Sequence, residues 1–184
     1  MNVKRKSARK LWQYGWLALV SLFLGNVAFA GEGRYLEANE FLDLAFPAAE
    51  PAPAVLWVDD TLRSEIETIV GHRFGALRVR YWEHGGRSAW IFDEVGKERP
   101  ITIGVTVEDG AVEFVRVLEF REPRGWEVRH AFFTDQFAGA RVSTGQRFDR
   151  DIDGITGATL SVAAVTRVVR LALFLSAIAR HPHS

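Results

Sequence analysis

The run Asp153-Gly154-Ile155-Thr156-Gly157-Ala158-Thr159-Leu160-Ser161 opens directly into an apolar stretch and gathers the residue types best suited to holding a ligand. Asp153-Gly154 is a turn signal, Gly157 permits a close backbone approach, and the chain can be helical from Ala158 onward. A helix start carries unpaired N–H groups and the positive end of the helix dipole, so it attracts anions. Thr156 and Thr159 add hydroxyls at that end. Two uses are open: an anion held at the helix start, or Thr156 acting as an ordinary N-cap with nothing bound.

This run resembles the flavinylation motif of the FMN-binding domain family, Asp-Gly-x-(Ser/Thr)-Gly-Ala-Thr before a helix. Asp153, Gly154, Thr156, Gly157, Ala158 and Thr159 fill the motif positions without a mismatch, and the similarity extends over roughly residues 99–180. The resemblance implies FMN joined as a phosphoester to the threonine after Gly-Ala, here Thr159, by a flavin transferase that draws on FAD. It further implies an electron carrier working with a membrane or extracytoplasmic redox partner. The loop from Glu122 to Glu127 looks like the family segment that closes over the isoalloxazine ring, and it shares Arg-Gly-x-Glu with small exported members. On that likeness Glu122, Arg124, Gly125, Trp126 and Glu127 join Asp153, Gly154, Thr156, Gly157 and Ala158 as expected cofactor contacts, with Arg121 a further nearby charge. Trp126 can either stack on the ring or serve as a core or rim aromatic.

The rest of the chain narrows the chemistry. Without cysteine there is no disulfide, iron–sulfur cluster, c-type haem attachment or catalytic thiol. The histidines, at 72, 84, 130, 181 and 183, show no i, i+4 pair, so no metal site is expected. Asp149, Asp151 and Asp153 alternate as in a calcium loop, but the glycine and the closing glutamate that such a loop needs are missing from their places. No Ser-His-Asp order or pair of catalytic carboxylates appears.

Residues 1–30 read as a signal peptide. Lys4, Arg5, Lys6, Arg9 and Lys10 precede a short apolar run from Gly15 to Gly25, and Ala28-Phe29-Ala30 is a small-x-small cleavage site that predicts a mature start at Gly31. An uncleaved N-terminal anchor is the alternative, although the run is short for a span of about 20 residues. The whole chain balances 23 basic against 23 acidic residues, so removing that basic segment leaves 18 against 23, a net charge of −5. A periplasmic or otherwise extracytoplasmic soluble protein is expected, and no nucleic-acid partner, which would need a basic face.

Elements that could position the motif are legible upstream. Residues 35–46 read as a short helix ended by Pro47, and residues 47–54, rich in Pro and Ala, as a semi-extended linker. Asp59 or Asp60 caps a helix over 60–70, with Leu62, Ile66, Ile69 and Val70 on one stripe and Gly71 at its end. Residues 77–83 and 88–95 flank a Gly85-Gly86 turn. Residues 101–108 and 112–120 flank Asp109-Gly110, a type I′ signal, with Ile101, Ile103, Val105 and Val107 on one face and Thr102, Gly104 and Thr106 on the other, which predicts a half-buried antiparallel sheet. A short aromatic helix spans about 131–138 and stops at Gly139. The last helix, about 158–179, is read as packing on the sheet, with a dimer face or a membrane-partner contact as alternatives.

The expected fold is α+β: a twisted, mainly antiparallel sheet with helices on one face, the C-terminal helix following the motif. Residues 31–98 form an N-terminal extension, either completing the same sheet or standing as a subdomain, and residues 99–184 the FMN-binding domain. Two other functions compete with the carrier: a flavin-dependent reductase of a small substrate, and a cofactor-free binding module built on residues 59–95.

Overall fold

The computed structural model describes residues 33–143 and 147–180. The expected signal segment and its cleavage site lie outside the described residues.

Six strands form one antiparallel sheet in the order β1-β6-β5-β4-β3-β2, where β1 is Gly33–Arg34, β2 Ala52–Trp57, β3 Arg78–His84, β4 Arg87–Val95, β5 Pro100–Glu108 and β6 Ala111–Phe120. The helices are α1 (Ala38–Ala45), α2 (Asp60–Val70), α3 (Ala131–Thr134) and α4 (Thr159–Arg180). Both central hairpins follow their turn chemistry. Gly85 and Gly86 have φ of 58° and 87°, and Asp109 and Gly110 have 50° and 75°, the paired left-handed residues of a type I′ turn. Residues 33–95 supply strands on both sides of β5 and β6, so the N-terminal extension completes the same sheet.

The main core lies between one sheet face and the helices α2 and α4. From the sheet come Trp90, Ile101, Ile103, Val105 and Val115. α4 adds Val165, Val168, Val169, Ala172 and Leu175, and α2 adds Leu62, Ile66 and Ile69. Tyr81 stacks on Trp90 with ring centroids 4.6 Å apart. Each such aliphatic side chain contributes about 1.5–3 kcal/mol on full burial, which explains why α4 is apolar on most of its surface. By length and mean hydropathy, 1.9 over its most apolar window, α4 could cross a bilayer; here half of that window is buried within the protein.

Two expectations need correction. Residues 47–54 are not wholly linker: β2 begins at Ala52 and pairs with β3 through Trp57↔Arg78. Pro51 and Pro53 fit because β2 is an edge strand, where a missing N–H leaves no ladder bond broken. The Thr102-Gly104-Thr106 side of β5 is not open to solvent either. The α1 residues Phe41 and Ala45, together with Phe46, form a second small core on the sheet's other face with Ala89 and Leu118. A Cβ on Gly104 would lie 2.6 Å from Phe41 Cε2, so only glycine lets α1 seat there.

A half-buried ion pair ties α4 to β4. Arg167 donates from Nε and Nη2 to Glu94 Oε1 at 3.0 and 2.7 Å, and also to the Val95 carbonyl. His72, just past α2, lies 3.1 Å from Glu94 Oε2.

Candidate functional site

Three segments distant in sequence meet at the N-terminal end of α4. They are the β4–β5 turn (96–99), the loop after β6 (121–125) and the motif. Between them is a cavity of about 350 Å3 lined by Lys97, Glu122, Pro123, Arg124, Gly157, Ala158, Thr159, Leu160 and Ser161.

The helix start in this cavity is uncapped. Ala158 occupies the position before α4 and has no side-chain acceptor, and Thr156 makes no hydrogen bond to the helix among the described residues. The Val162 N–H reaches the Ala158 carbonyl, but the N–H groups of Thr159, Leu160 and Ser161 have no acceptor among the described residues. The ordinary N-cap use of Thr156 is therefore not what this fold adopts. Three aligned donors, the positive end of a 22-residue helix and the exposed Thr159 hydroxyl face the cavity together with Lys97 and Arg124. That donor set fits a phosphate-bearing cofactor, and the Thr159 hydroxyl lies on the same wall.

The loop is held against the motif by close packing. Gly125 has φ +88°, and a Cβ on it would overlap Ser161 Oγ and approach the Ala158 Cβ to 3.5 Å. Glu122, 2 % exposed, turns its carboxylate under the loop. Its Oε1 accepts the backbone N–H of Lys97, of Glu98 at 2.7 Å and of Arg99 at 3.0 Å. Burial pushes the Glu122 carboxyl up, but the N–H donors of Arg99, Glu98 and Lys97 outweigh it and hold the group below its ordinary value. His72 is shifted upward, first by its hydrogen bond to the Arg73 carbonyl and then by Glu94.

The remaining expected site residues sit at varied distances from the cavity. Arg124 is exposed on its wall, with no ion pair among the described residues. Gly157 adopts φ +85°, the left-handed turn that delivers Ala158 to the helix start. Gly154 is exposed, and the Asp153 N–H donates to Gln136 Oε1 at 2.7 Å, so both shape the approach to α4 rather than the cavity wall. Trp126 is half-buried against the main core and is not among the lining residues. The Arg129 guanidinium lies over its ring at 4.9 Å, and His130 meets it edge-on at 5.2 Å. Glu127 is half-buried, and its carbonyl accepts from the His130 N–H at 3.1 Å. Arg121 turns to Glu119 and Asp93 instead.

Lys97, Pro123, Leu160 and Ser161 also line the wall and are not among the expected contacts. Lys97 is brought in only by the hairpin register that aligns Val95 with Pro100. Ser161 was quoted as part of the motif, yet its use as the surface on which Gly125 rests has no sequence signal.

Residues 96–173 match the family model of the FMN-binding domain. No curated protein and no solved structure matches the chain. The matched segment contains the Lys97 turn, the Glu122 loop and the motif through Thr159; the match marks residues 96–173 as an FMN-binding domain and points to a flavin-binding protein.

Proposed function

We propose that this is an exported flavoprotein that holds FMN covalently on Thr159 and passes electrons to or from a membrane or extracytoplasmic redox partner. The observation that carries this reading is the uncapped start of α4, where three unused N–H donors and an exposed hydroxyl share one cavity with Lys97 and Arg124. In attachment, Thr159 Oγ forms a bond to the FMN phosphorus of FAD, the bond from that phosphorus to AMP breaks, and the hydroxyl proton is released. The N–H groups at the start of α4, with Lys97 and Arg124, would hold the phosphodiester's charge. Bound FMN supplies the redox chemistry, and the protein sets its potential through nearby charge, hydrogen bonds and exposure.

A covalent link suits an exported protein, because occupancy of a reversible site falls with the free ligand concentration. The basic n-region and Ala28-Phe29-Ala30 support export with a mature start at Gly31. The cavity walls supply cations and backbone donors, with no pair of acid/base groups for turning over a small substrate.

Co-expression with a flavin transferase should give protein that stays fluorescent on a denaturing gel and gains the mass of FMN less water. Thr159→Ala should lose both signals, while Thr156→Ala keeps label; label retained on Thr159→Ala overturns the assignment. Turnover of one small substrate with saturation kinetics and no partner present would make the protein an enzyme instead.

A further inference from the structure

We propose that Glu122 is a built-in anion filling a backbone nest on the β4–β5 turn, and that it thereby positions the walls of the cofactor cavity and leaves the start of α4 as the place where a ligand anion can bind. The inference rests on the flavin reading for its last clause; the nest itself stands on geometry alone.

Consecutive backbone N–H groups that converge on one point form a concavity for anions. Lys97, Glu98 and Arg99 provide such a set, and all three donate to the same oxygen, Glu122 Oε1. The fit around that oxygen is close: a Cβ on Gly96 would lie 3.0 Å from it and 3.2 Å from Ile101 Cδ1. A carboxylate suits the site best, because bonds from N–H groups to a charged acceptor are stronger than those to a neutral one. Glutamine could accept through its carbonyl, but its amide brings donors, and an aliphatic residue leaves buried N–H groups unmatched.

The consequence reaches the cofactor because Glu122 starts the loop that carries Arg124 and Gly125. Gly125 rests on Ser161 and Ala158 at the start of α4. One carboxylate therefore ties the Lys97 turn to the Arg124 loop and, through Gly125, to the Thr159 helix. With those three donors taken, the turn's contribution to the cavity wall is the Lys97 side chain, itself 3.1 Å from Glu98 Oε1, whereas α4 keeps its own donors open. Glu122 acts through these neighbours, so it is a positioning residue.

The test is chemical rescue in the exported protein. Glu122→Ala should lower the melting temperature by about 5 °C or more, from the loss of charge-assisted bonds. Acetate at constant ionic strength should recover most of that loss by occupying the vacated nest, while chloride and acetamide should not. Wild type should show no acetate effect. The rescue is measured on the Thr159→Ala background as well, where no flavin is attached, so failure of the nest and failure of the flavin reading give separate results. In flavinylated Glu122→Ala, fluorescence anisotropy should fall and rise again with acetate. If Glu122→Ala does not accumulate, Glu122→Asp and Glu122→Gln are compared, and Glu122→Asp should retain more stability and anisotropy. Equal behaviour of those two variants, or no selective acetate effect on Glu122→Ala, overturns the proposal.

Discussion

α2 and α4 begin in opposite ways. At α2, Asp59 accepts the Leu62 N–H at 2.8 Å, and Gly71 closes the other end at φ +75°. α1 likewise satisfies its start, through a reciprocal pairing of Glu37 and Glu40. α4 is the longest helix and the one most deeply built into the main core, yet Ala158 stands where a capping side chain would be and three N–H groups stay open. Capping is worth about 1 kcal/mol and is easily supplied. Here it is omitted beside a cavity walled by Lys97 and Arg124, and the proposed FMN phosphate would use the open donors.

The contrast can be broken most severely at Thr159. Thr159→Ala should remove all covalent flavin while shifting stability by no more than about 0.5 kcal/mol, because the side chain is exposed. A mass spectrum and a thermal melt on one sample read both effects; a large loss of stability without flavin would mean that Thr159 serves the fold.

Gly125→Ala attacks the wall that rests on α4. A left-handed φ and the overlap with Ser161 together should cost about 2–4 kcal/mol, seen as a lower midpoint in urea and reduced flavin loading. Wild-type stability would show that the loop moves freely and does not brace the helix.

Caps exchanged between the two helices sharpen the comparison further. Asp59→Ala should lose about 1 kcal/mol and leave flavin loading unchanged. Ala158→Ser, which supplies a cap to α4, should add about 0.5–1 kcal/mol to the unflavinylated protein and lower its loading, since the new hydroxyl competes for donors meant for phosphate. Higher loading in Ala158→Ser would contradict the role given to those N–H groups.

The smallest effect concerns His72, which sits where α2 ends and α4 is anchored. Its folded pKa is raised, so the stability it contributes is fully present below its unfolded value of about 6.5 and disappears as pH climbs through the folded value. Because the ring is 52 % exposed, this contribution stays well under about 1 kcal/mol. His72→Gln should flatten the stability profile across that interval, and chemical denaturation at a series of pH values would detect it.

What could be seen in the sequence was local. Asp59, the Leu62-Ile66-Ile69-Val70 stripe and Gly71 define α2 within a dozen residues, and Asp109-Gly110 specifies its hairpin within four. The motif placed Thr159 at a helix start for the same reason. What escaped depends on contacts far apart in the chain. β2 has too much proline to read as a strand until an edge position is known, and Gly104 gives no hint of Phe41. Family likeness makes Glu122 an expected cofactor contact and it does line the cavity, but that its carboxylate accepts from a turn 23–25 residues away has no signal in the sequence. For Trp126 the sequence leaves ring contact and core aromatic open, and its indole packs, half-buried, against the main core.

The seat of α1 on Gly104 bears on how the molecule is made. β1 pairs with Phe120 and Glu119, and Phe41 needs Gly104 and Leu118, so β1 and α1 are synthesised before their partners and can dock only after β6 exists. Until then the sheet face carrying Trp82, Ile91 and Phe114 has nothing over it. Such long-range closure slows folding and leaves a sticky surface bare in the interval. The amino-terminal strap is synthesised early and placed late.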